Sequence, residues 1–358
     1  TVTAVDGDRV WAFGHPMTQA GPTTFPFSAA EVMAVAANPT FGSYKVASPA
    51  GALLGAITDD RAAAIAGRFG PTPPMVGVRT DSTYLGAVQE TNHETALVAD
   101  PFGTAQFAAF ALVWPITVQR DRVASGSIAY DITVTVRETD LVGHRRDVIS
   151  SSYWAESNLF FDLLFRLADL IGNSSVPLTI ERVELTADVS DDRRELTIDD
   201  VDVADRIAPG DELVVAVQLL QFGTSELVTQ ALVIEIPSDF PAGPATLEVG
   251  PETALGMPSV EPSDEEEDDR VPDTAEDIIA AFNALPRQQV LVARLTSLAA
   301  PPMPECPPCA EDTPCEPCEL PPPSDEPPPP PPSLQAIAEE DGMVLGFDSR
   351  TIEVVATP

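Results

Sequence analysis

Residues 127–136, SIAYDITVTV, have a large apolar side chain at every second position, from Ile128 to Val136. An apolar side chain at every second residue places all of them on one face of an extended strand. The same period of two returns at 178–185, 213–219 and 232–236. Repeated alternation of this kind, with polar residues on the outer face, is typical of a β-sandwich. The sequence therefore predicts a mainly β protein with a sandwich domain over residues 121–250.

One segment of this region has the helical period instead of the strand period. Between residues 156 and 171, large apolar residues recur at spacings of three and four: Leu159, Phe160, Leu163, Leu164, Leu167 and Leu170. Such spacing gives a helix one apolar face, and Gly172-Asn173 is a typical helix end. We predict an amphipathic helix over 156–171 that lies on the sheet or at a domain junction.

The region before the predicted sandwich, residues 1–120, has short apolar stretches separated by turn signals. Residues 2–5 and 9–13, divided by Asp6-Gly7-Asp8, predict a β-hairpin. Residues 29–37 are rich in alanine, and Ser28 and Glu31 have the spacing of a capping box. We therefore predict a short helix over 29–37.

The residues after the sandwich are divided by two linkers. Residues 251–273 are acidic and predict an extended, solvated linker. Residues 274–300 predict a helix that Thr274 caps and Pro286 ends, followed by a strand. A Pro- and Cys-rich linker takes up 301–333, which holds 16 of the 37 prolines. Residues 334–358 predict a closing β-hairpin that turns at 347–349.

The charge and hydropathy of the chain exclude several partners. Nineteen basic and 56 acidic residues give a net charge of −37, and nucleic acid binding requires cationic surface to replace counterions. We therefore expect no nucleic acid partner. No apolar run approaches the roughly 20 residues needed to cross a bilayer, so no membrane-spanning segment is expected in these residues. No motif for a cofactor is present, and none is expected.

Several short motifs, in order, carry a resemblance to a known family. They are TVTAVDGDRVWAFGHP at residues 1–16, Ser43-Tyr44-Lys45, GAITDDR at 55–61 and IAGRFG at 65–70. These resemble the SpoIVB-type serine peptidases, whose members carry a G-T-V-T strand, a Gly-His motif and later G-x-I-x-x-D-R and G-I-x-G-x-x-G segments. The resemblance implies that residues 1–120 are the C-terminal portion of a chymotrypsin-like barrel in an exported bacterial protein. It also implies a protein or peptide substrate and a β-rich extension.

His15 is the candidate general base, by this resemblance. An imidazole on a turn after a rigid strand suits that role, because it exchanges protons near neutral pH. The alternative is that Gly14-His15-Pro16 is a strand-ending turn whose histidine bonds a neighbouring carbonyl. His93 and His144 lie outside any motif, and we predict no catalytic role for either.

The other two members of a serine peptidase site are less well marked. The family nucleophile lies in a G-x-S-G-x-P motif, which these 358 residues lack. The resemblance therefore implies a catalytic serine upstream of Thr1. Ser125, in Ala124-Ser125-Gly126-Ser127, is the nearest match, although the pattern favours a turn before a strand. Asp59 and Asp60 are both available for the family acid in the matching segment, and Asp60 is the candidate that we take; its alternative is an ion pair with Arg61 that orders the loop.

Four cysteines lie in the proline-rich linker, with the spacing CxxC, five residues, CxxC: Cys306, Cys309, Cys315 and Cys318. Structural zinc sites place a dozen or more residues between such pairs, and stiff proline segments resist wrapping an ion. We predict disulfides first, which an exported location favours, free or cross-linking thiols second and a metal site third.

The resemblance thus implies a serine endopeptidase. The alternative is a non-catalytic cell-envelope binding or scaffold protein that keeps a degenerate peptidase fold.

Overall fold

A computed structural model describes residues 2–38, 40, 42–86, 89–98, 103–137, 139–172, 176, 178–255, 274–298 and 331–355. Strands account for 56% of the structure and helices for 16%, which confirms the predicted mainly β class. The described residues belong to two compact units. One lies within Thr1–Asp192 and Glu266–Leu285, and the other within Arg193–Glu265 and Pro286–Pro358.

The strands and helices are numbered in chain order. The strands are β1 (Val2–Asp6), β2 (Arg9–Ala12), β3 (Gly21–Ala36), β4 (Tyr44–Arg61), β5 (Ala64–Phe69), β6 (Met75–Tyr84), β7 (Gln89–Val98), β8 (Gly126–Val136), β9 (Val142–Ser151), β10 (Ile180–Ser190), β11 (Glu195–Val203), β12 (Arg206–Ile207), β13 (Glu212–Gln221), β14 (Leu227–Glu235), β15 (Gly243–Pro251), β16 (Val290–Ser297), β17 (Ser333–Glu339), β18 (Met343–Leu345) and β19 (Asp348–Val354). The helices are α1 (Thr104–Arg120), α2 (Ala155–Ile171), α3 (Glu252–Leu255) and α4 (Ala275–Asn283).

The first sheet of the first unit has the order β1-β2-β5-β4-β3. The predicted hairpin is confirmed as β1 and β2, which pair antiparallel with Val5 opposite Val10. A small core of Ala12, Ile57 and Ile65 lies on this sheet, with Phe25 and Phe27 packed against it. This sheet carries the loop with His15, which follows β2.

The predicted helix over 29–37 is wrong, because these residues form the outer half of β3. They pair with the start of β4, with Ala29 opposite Ala50 and Ala36 opposite Tyr44. The Asn38 side chain accepts a hydrogen bond from the Thr40 N–H at 2.9 Å and so helps to turn the chain back. Ser28 donates to the Ala29 carbonyl instead of capping a helix. The ladder continued from residues 21–27 therefore prevails over alanine's helix propensity.

The second sheet of the first unit has the order β7-β6-β10-β8-β9. Helices α1, α2 and α4 cover one of its faces, and the predicted helix over 156–171 is confirmed as α2. The alternating residues of β8 enter a core shared with the helices: Ile128, Ile132, Val134, Leu112, Ile116, Leu159 and Leu163. The helix predicted after Thr274 is confirmed as α4, and the Thr274 hydroxyl accepts from the Asp277 N–H at 3.1 Å.

The second unit contains two sheets that share one core. Their orders are β14-β13-β11-β18 and β12-β19-β15-β16-β17. Val215 and Val217 of one sheet and Leu247 and Leu295 of the other belong to the same cluster, which is the arrangement of a sandwich. The region 121–250, predicted as one sandwich, is thus shared between the two units, with the boundary at Asp192.

The predicted closing hairpin at 343–355 is wrong. β18 pairs in parallel with β11 in one sheet, whereas β19 pairs with β15 and β12 in the other. Gly346 lies between the two strands at φ 98°. Residues with a Cβ atom rarely adopt this conformation, whereas glycine adopts it readily. Residues 346–347 therefore lead the chain from one sheet to the other instead of reversing it.

Candidate functional site

His15 lies on an exposed loop directly after β2. Phe13 and Gly14 both have positive φ, 73° and 74°, and the Gly14 N–H donates to the Ala12 carbonyl at 3.0 Å. A positive φ is uncommon for a phenylalanine and marks a constrained turn. The Phe13 and His15 rings stack with centroids 5.6 Å apart. The turn thus presents the imidazole at the surface, as expected for either interpretation of the Gly-His motif.

The His15 ring makes a close polar contact, which suits one of its two tautomers. Nδ1 lies 2.7 Å from the Pro16 carbonyl oxygen. Because a carbonyl oxygen only accepts, Nδ1 carries the proton in this contact. The Nε2 atom of the neutral ring is then the proton acceptor. This contact with the neighbouring carbonyl is the one that the strand-ending-turn alternative describes. The same tautomer leaves Nε2 able to accept a proton, so the contact is compatible with a general base as well.

Asp60 lies fully buried at the end of β4 and binds the residues that follow His15. Its carboxylate accepts hydrogen bonds from the backbone N–H of Met17, Thr18 and Ala20 at 2.8, 2.8 and 3.3 Å, and from the Thr18 hydroxyl at 3.1 Å. These bonds attach the His15 loop to the sheet. The structure therefore places Asp60 beneath the loop, where it holds the backbone instead of hydrogen bonding the imidazole.

The same contacts set the charge of Asp60. Burial acts to raise its pKa, but the hydrogen bonds from Thr18, Met17 and Ala20 outweigh burial and lower the pKa to about 2. The alternative predicted for Asp60, an ion pair with Arg61, is not formed. Arg61 instead pairs with Asp59, with its Nη2 atom 3.0 Å from the carboxylate.

The stabilisation of the His15 loop by Asp60 is expected to depend on pH only under strongly acidic conditions. The folded pKa of Asp60 lies below its unfolded value of about 4, so its stabilising effect is complete above pH 4 and is lost as the pH falls towards 2. The amide resonances of Met17 and Thr18 should therefore titrate with a midpoint near pH 2. In Asp60→Asn this titration should vanish, and in Asp59→Asn it should persist; a midpoint near 4 would contradict the role of Asp60.

Ser125 lies in an exposed position immediately before β8. Its backbone carbonyl accepts from Arg120 Nη2 at 2.6 Å, so its backbone belongs to the junction between α1 and β8. The described residues show no hydrogen bond between the Ser125 hydroxyl and the His15 ring. The structure thus agrees with the turn-before-strand alternative for this serine.

A histidine–carboxylate pair that the sequence analysis did not identify lies on the second sheet. His144 Nε2 is 2.9 Å from the Asp131 carboxylate across the β8–β9 hairpin, and the His144 N–H donates to Asn283 Oδ1 at 2.7 Å. The signal was the period of two itself, which puts Asp131 and His144 on the same sheet face. Both side chains are about half exposed. His93 lies in β7, opposite Thr80 of β6.

The remaining predicted sites are either outside the described residues or have no counterpart within them. Cys306, Cys309, Cys315 and Cys318 lie outside the described residues. Within the described ranges, no group of three or more His, Cys, Asp or Glu side chains is arranged to hold a metal ion. No described helix is long and apolar enough to span a membrane.

Protein families, curated proteins and solved structures gave no match to this chain. The assignment of a function therefore depends on the His15 loop and on the motifs around it.

Proposed function

We propose that this chain carries the general-base portion of a SpoIVB-like serine endopeptidase. The proposed enzyme is an exported bacterial protein, and its substrates are proteins or peptides. The observation that supports the proposal is the His15 Nδ1 contact with the Pro16 carbonyl at 2.7 Å. As a hydrogen bond this contact needs the proton on Nδ1, which leaves Nε2 as the proton acceptor of the neutral ring. Asp60, through its four hydrogen bonds, holds the loop that presents this ring.

In this proposal His15 acts at both ends of the reaction. Nε2 takes the hydroxyl proton of the nucleophilic serine as the serine oxygen attacks the carbonyl carbon of the peptide bond. The protonated ring then gives that proton to the nitrogen of the leaving amine as the C–N bond breaks, which leaves the acyl group on the serine oxygen. Water then attacks this ester while Nε2 takes its proton, and the ring returns the proton to the serine oxygen as the acid product leaves. The Pro16 carbonyl has the orienting role, because its hydrogen bond to Nδ1 can strengthen when the ring becomes positively charged.

The nucleophile is the part of the proposed site that these residues do not clearly supply. The family motif G-x-S-G-x-P does not occur among them, and Ser125 makes its described contact through its backbone carbonyl. We propose that the serine comes from sequence upstream of Thr1 in the full open reading frame.

A fluorophosphonate probe tests this proposal, because it labels only an activated serine. We expect the probe to label the protein that the full open reading frame encodes. Its His15→Ala variant should lose the label, and residues 1–358 alone should not be labelled. Ser125→Ala and, as a matched exposed serine, Ser152→Ala should both leave the labelling of the full protein unchanged. Labelling of residues 1–358 that disappears in Ser125→Ala would instead place the complete site within this chain.

The second candidate function is a non-catalytic cell-envelope scaffold with a degenerate peptidase fold. The contacts of Asp60 favour it, because this carboxylate binds backbone N–H groups and no triad forms among the described residues. Absence of labelling from both the full open reading frame and residues 1–358 would support the scaffold and contradict the peptidase.

A further inference from the structure

The outer faces of α1 and α2 expose an unusual number of aromatic side chains. On α1 the exposed side chains are Gln106, Phe107, Phe110, Trp114 and Val118, and none of them is charged. On α2, Phe161 and Phe165 are exposed one turn apart. We call the six apolar residues the aromatic face: Phe107, Phe110, Trp114, Val118, Phe161 and Phe165.

These six residues form one surface because of how the helices pack. Helices α1 and α2 lie against each other on the same face of the second sheet, with Leu112 and Ile116 of α1 and Leu159 and Leu163 of α2 in one core. The exposed positions lie on the opposite side of each helix from its core positions. Ring pairs stack along each helix, with centroids 5.5 Å apart for Phe110 and Trp114 and 6.2 Å apart for Phe161 and Phe165.

The aromatic face is at the upper end of the range of apolar patches found on ordinary monomers, about 300–600 Å². Trp114 is 51% and Phe165 63% exposed. An aromatic side chain can bury about 150–250 Å², so the six residues together leave roughly 600 Å² of apolar surface uncovered. A standard protein–protein interface buries about 800 Å² on each partner. Gln106, Asn158 and Asp169, exposed on the same helices, can supply the remainder as a polar rim.

Charge distinguishes this face from the rest of the chain. The chain carries −37, so two copies repel each other when charged surfaces approach. On the two helices, Arg120 and Glu156 are buried as a pair, and Arg166 and Asp162 form an i, i+4 pair at 2.8 Å. Asp169 is thus the one exposed acid on these helix faces. Two copies can approach through the aromatic face with little like-charge repulsion.

We propose that the aromatic face binds the same face of a second copy of this chain, as a two-fold dimer. The area of the face and its lack of exposed charge suit a self-complementary interface. A lipid surface fits less well, because helices that lie on membranes carry Lys and Arg on their polar face and anionic headgroups would repel this acidic chain. This proposal is independent of the peptidase activity.

Sedimentation equilibrium of residues 1–358 tests the dimer. We expect a monomer–dimer equilibrium at micromolar protein, and a dissociation constant raised about 100-fold or more by Phe165→Glu or by Trp114→Ser, because central aromatic residues dominate interfaces. Circular dichroism should show both variants folded, since the replaced side chains are exposed. Met33→Glu is the matched control, because Met33 is exposed on the arm formed by β3 and β4.

Three results would overturn the proposal. The first is a parent chain that stays monomeric at 100 µM. The second is a dimer that Met33→Glu disrupts and that Phe165→Glu and Trp114→Ser leave intact, which would place the interface on the β3–β4 arm. The third is a monomeric parent chain that floats with phosphatidylcholine vesicles, in a manner that depends on Phe165, which would assign the face to lipid.

Discussion

Under the proposed peptidase function, replacing His15 by alanine is expected to lower kcat/KM for peptide cleavage by the full-length protein about 10⁴-fold, because general acid–base catalysis contributes up to about that factor. The ring is exposed and lies on a loop that Asp60 holds independently through Met17, Thr18 and Ala20. The urea midpoint of the variant should therefore equal that of the parent. Cleavage of a fluorogenic peptide and urea unfolding measure the two effects.

His144→Ala is the matched control for His15→Ala. His144 has the carboxylate partner that His15 lacks, since its Nε2 lies 2.9 Å from Asp131. We expect this variant to keep its activity within about twofold of the parent, because Nε2 of His144 is already occupied by Asp131. Loss of activity in His144→Ala with full activity in His15→Ala would move the site to the second sheet and contradict our assignment.

The parts of the fold that could be predicted are those in which local pattern and tertiary packing agree. Period-two residues such as Ile128 and Ile132 are buried as predicted, and the leucines of α2 face the same core. Thr274 caps α4 through the Asp277 N–H, as its position suggested. In each case the side chains that define the pattern are the ones that pack.

Helix α1 was not predicted, because apolar residues at its exposed positions weaken the helical period of its sequence. Its exposed positions hold Phe107, Phe110 and Trp114, so apolar residues surround the helix and the period of 3.6 is weak. Its N-cap residue is Gly103, which has no side chain of its own to give a capping signal in the sequence, and Pro115 lies inside it. The same exposed aromatic residues that weakened the helical pattern in the sequence are the basis for the proposed dimer.

The candidate site could be predicted only in part, for a different physical reason. The Gly14-His15 turn was identified from sequence and lies after a strand, as expected. The function of Asp60 depends on which loop passes over the end of β4. Its contacts span 40 to 43 residues of sequence, so no local pattern could show that its carboxylate faces backbone N–H groups.

The largest expected effect on stability concerns Arg120, the last residue of α1. Its guanidinium is fully buried and bonds Glu156 at 3.0 Å, Asp191 at 2.9 Å and the Ser125 carbonyl at 2.6 Å. Burial acts to lower its pKa, but Asp191 and Glu156 outweigh burial and raise the pKa above its ordinary value. The residue thus joins the end of α1, the start of α2 and the residue after β10 through charged hydrogen bonds.

Arg120→Met is expected to lower the free energy of unfolding of the first unit by about 3–5 kcal/mol, because it leaves Glu156 buried without its partner. Glu156→Gln, which keeps a polar side chain, should cost about 1–2 kcal/mol. The double variant Arg120→Met, Glu156→Met removes both buried charges and should recover most of the loss, since apolar replacements of a buried pair are often nearly neutral. Asp191 keeps its bonds to Arg122 and Tyr84 in all three variants.

Tryptophan fluorescence during urea unfolding measures this effect on the first unit specifically, because all three tryptophans, Trp11, Trp114 and Trp154, lie within it. The four proteins should be compared at one protein concentration, so that any self-association contributes equally. A loss in Arg120→Met of less than about 1 kcal/mol, the range of an exposed ion pair, would show that Glu156 reaches water. The double variant could instead be less stable than Arg120→Met. Replacing Glu156 would then have lowered the stability although it removed the unpaired charge. This result would show that the two side chains stabilise the unit through their packing contacts rather than their charges.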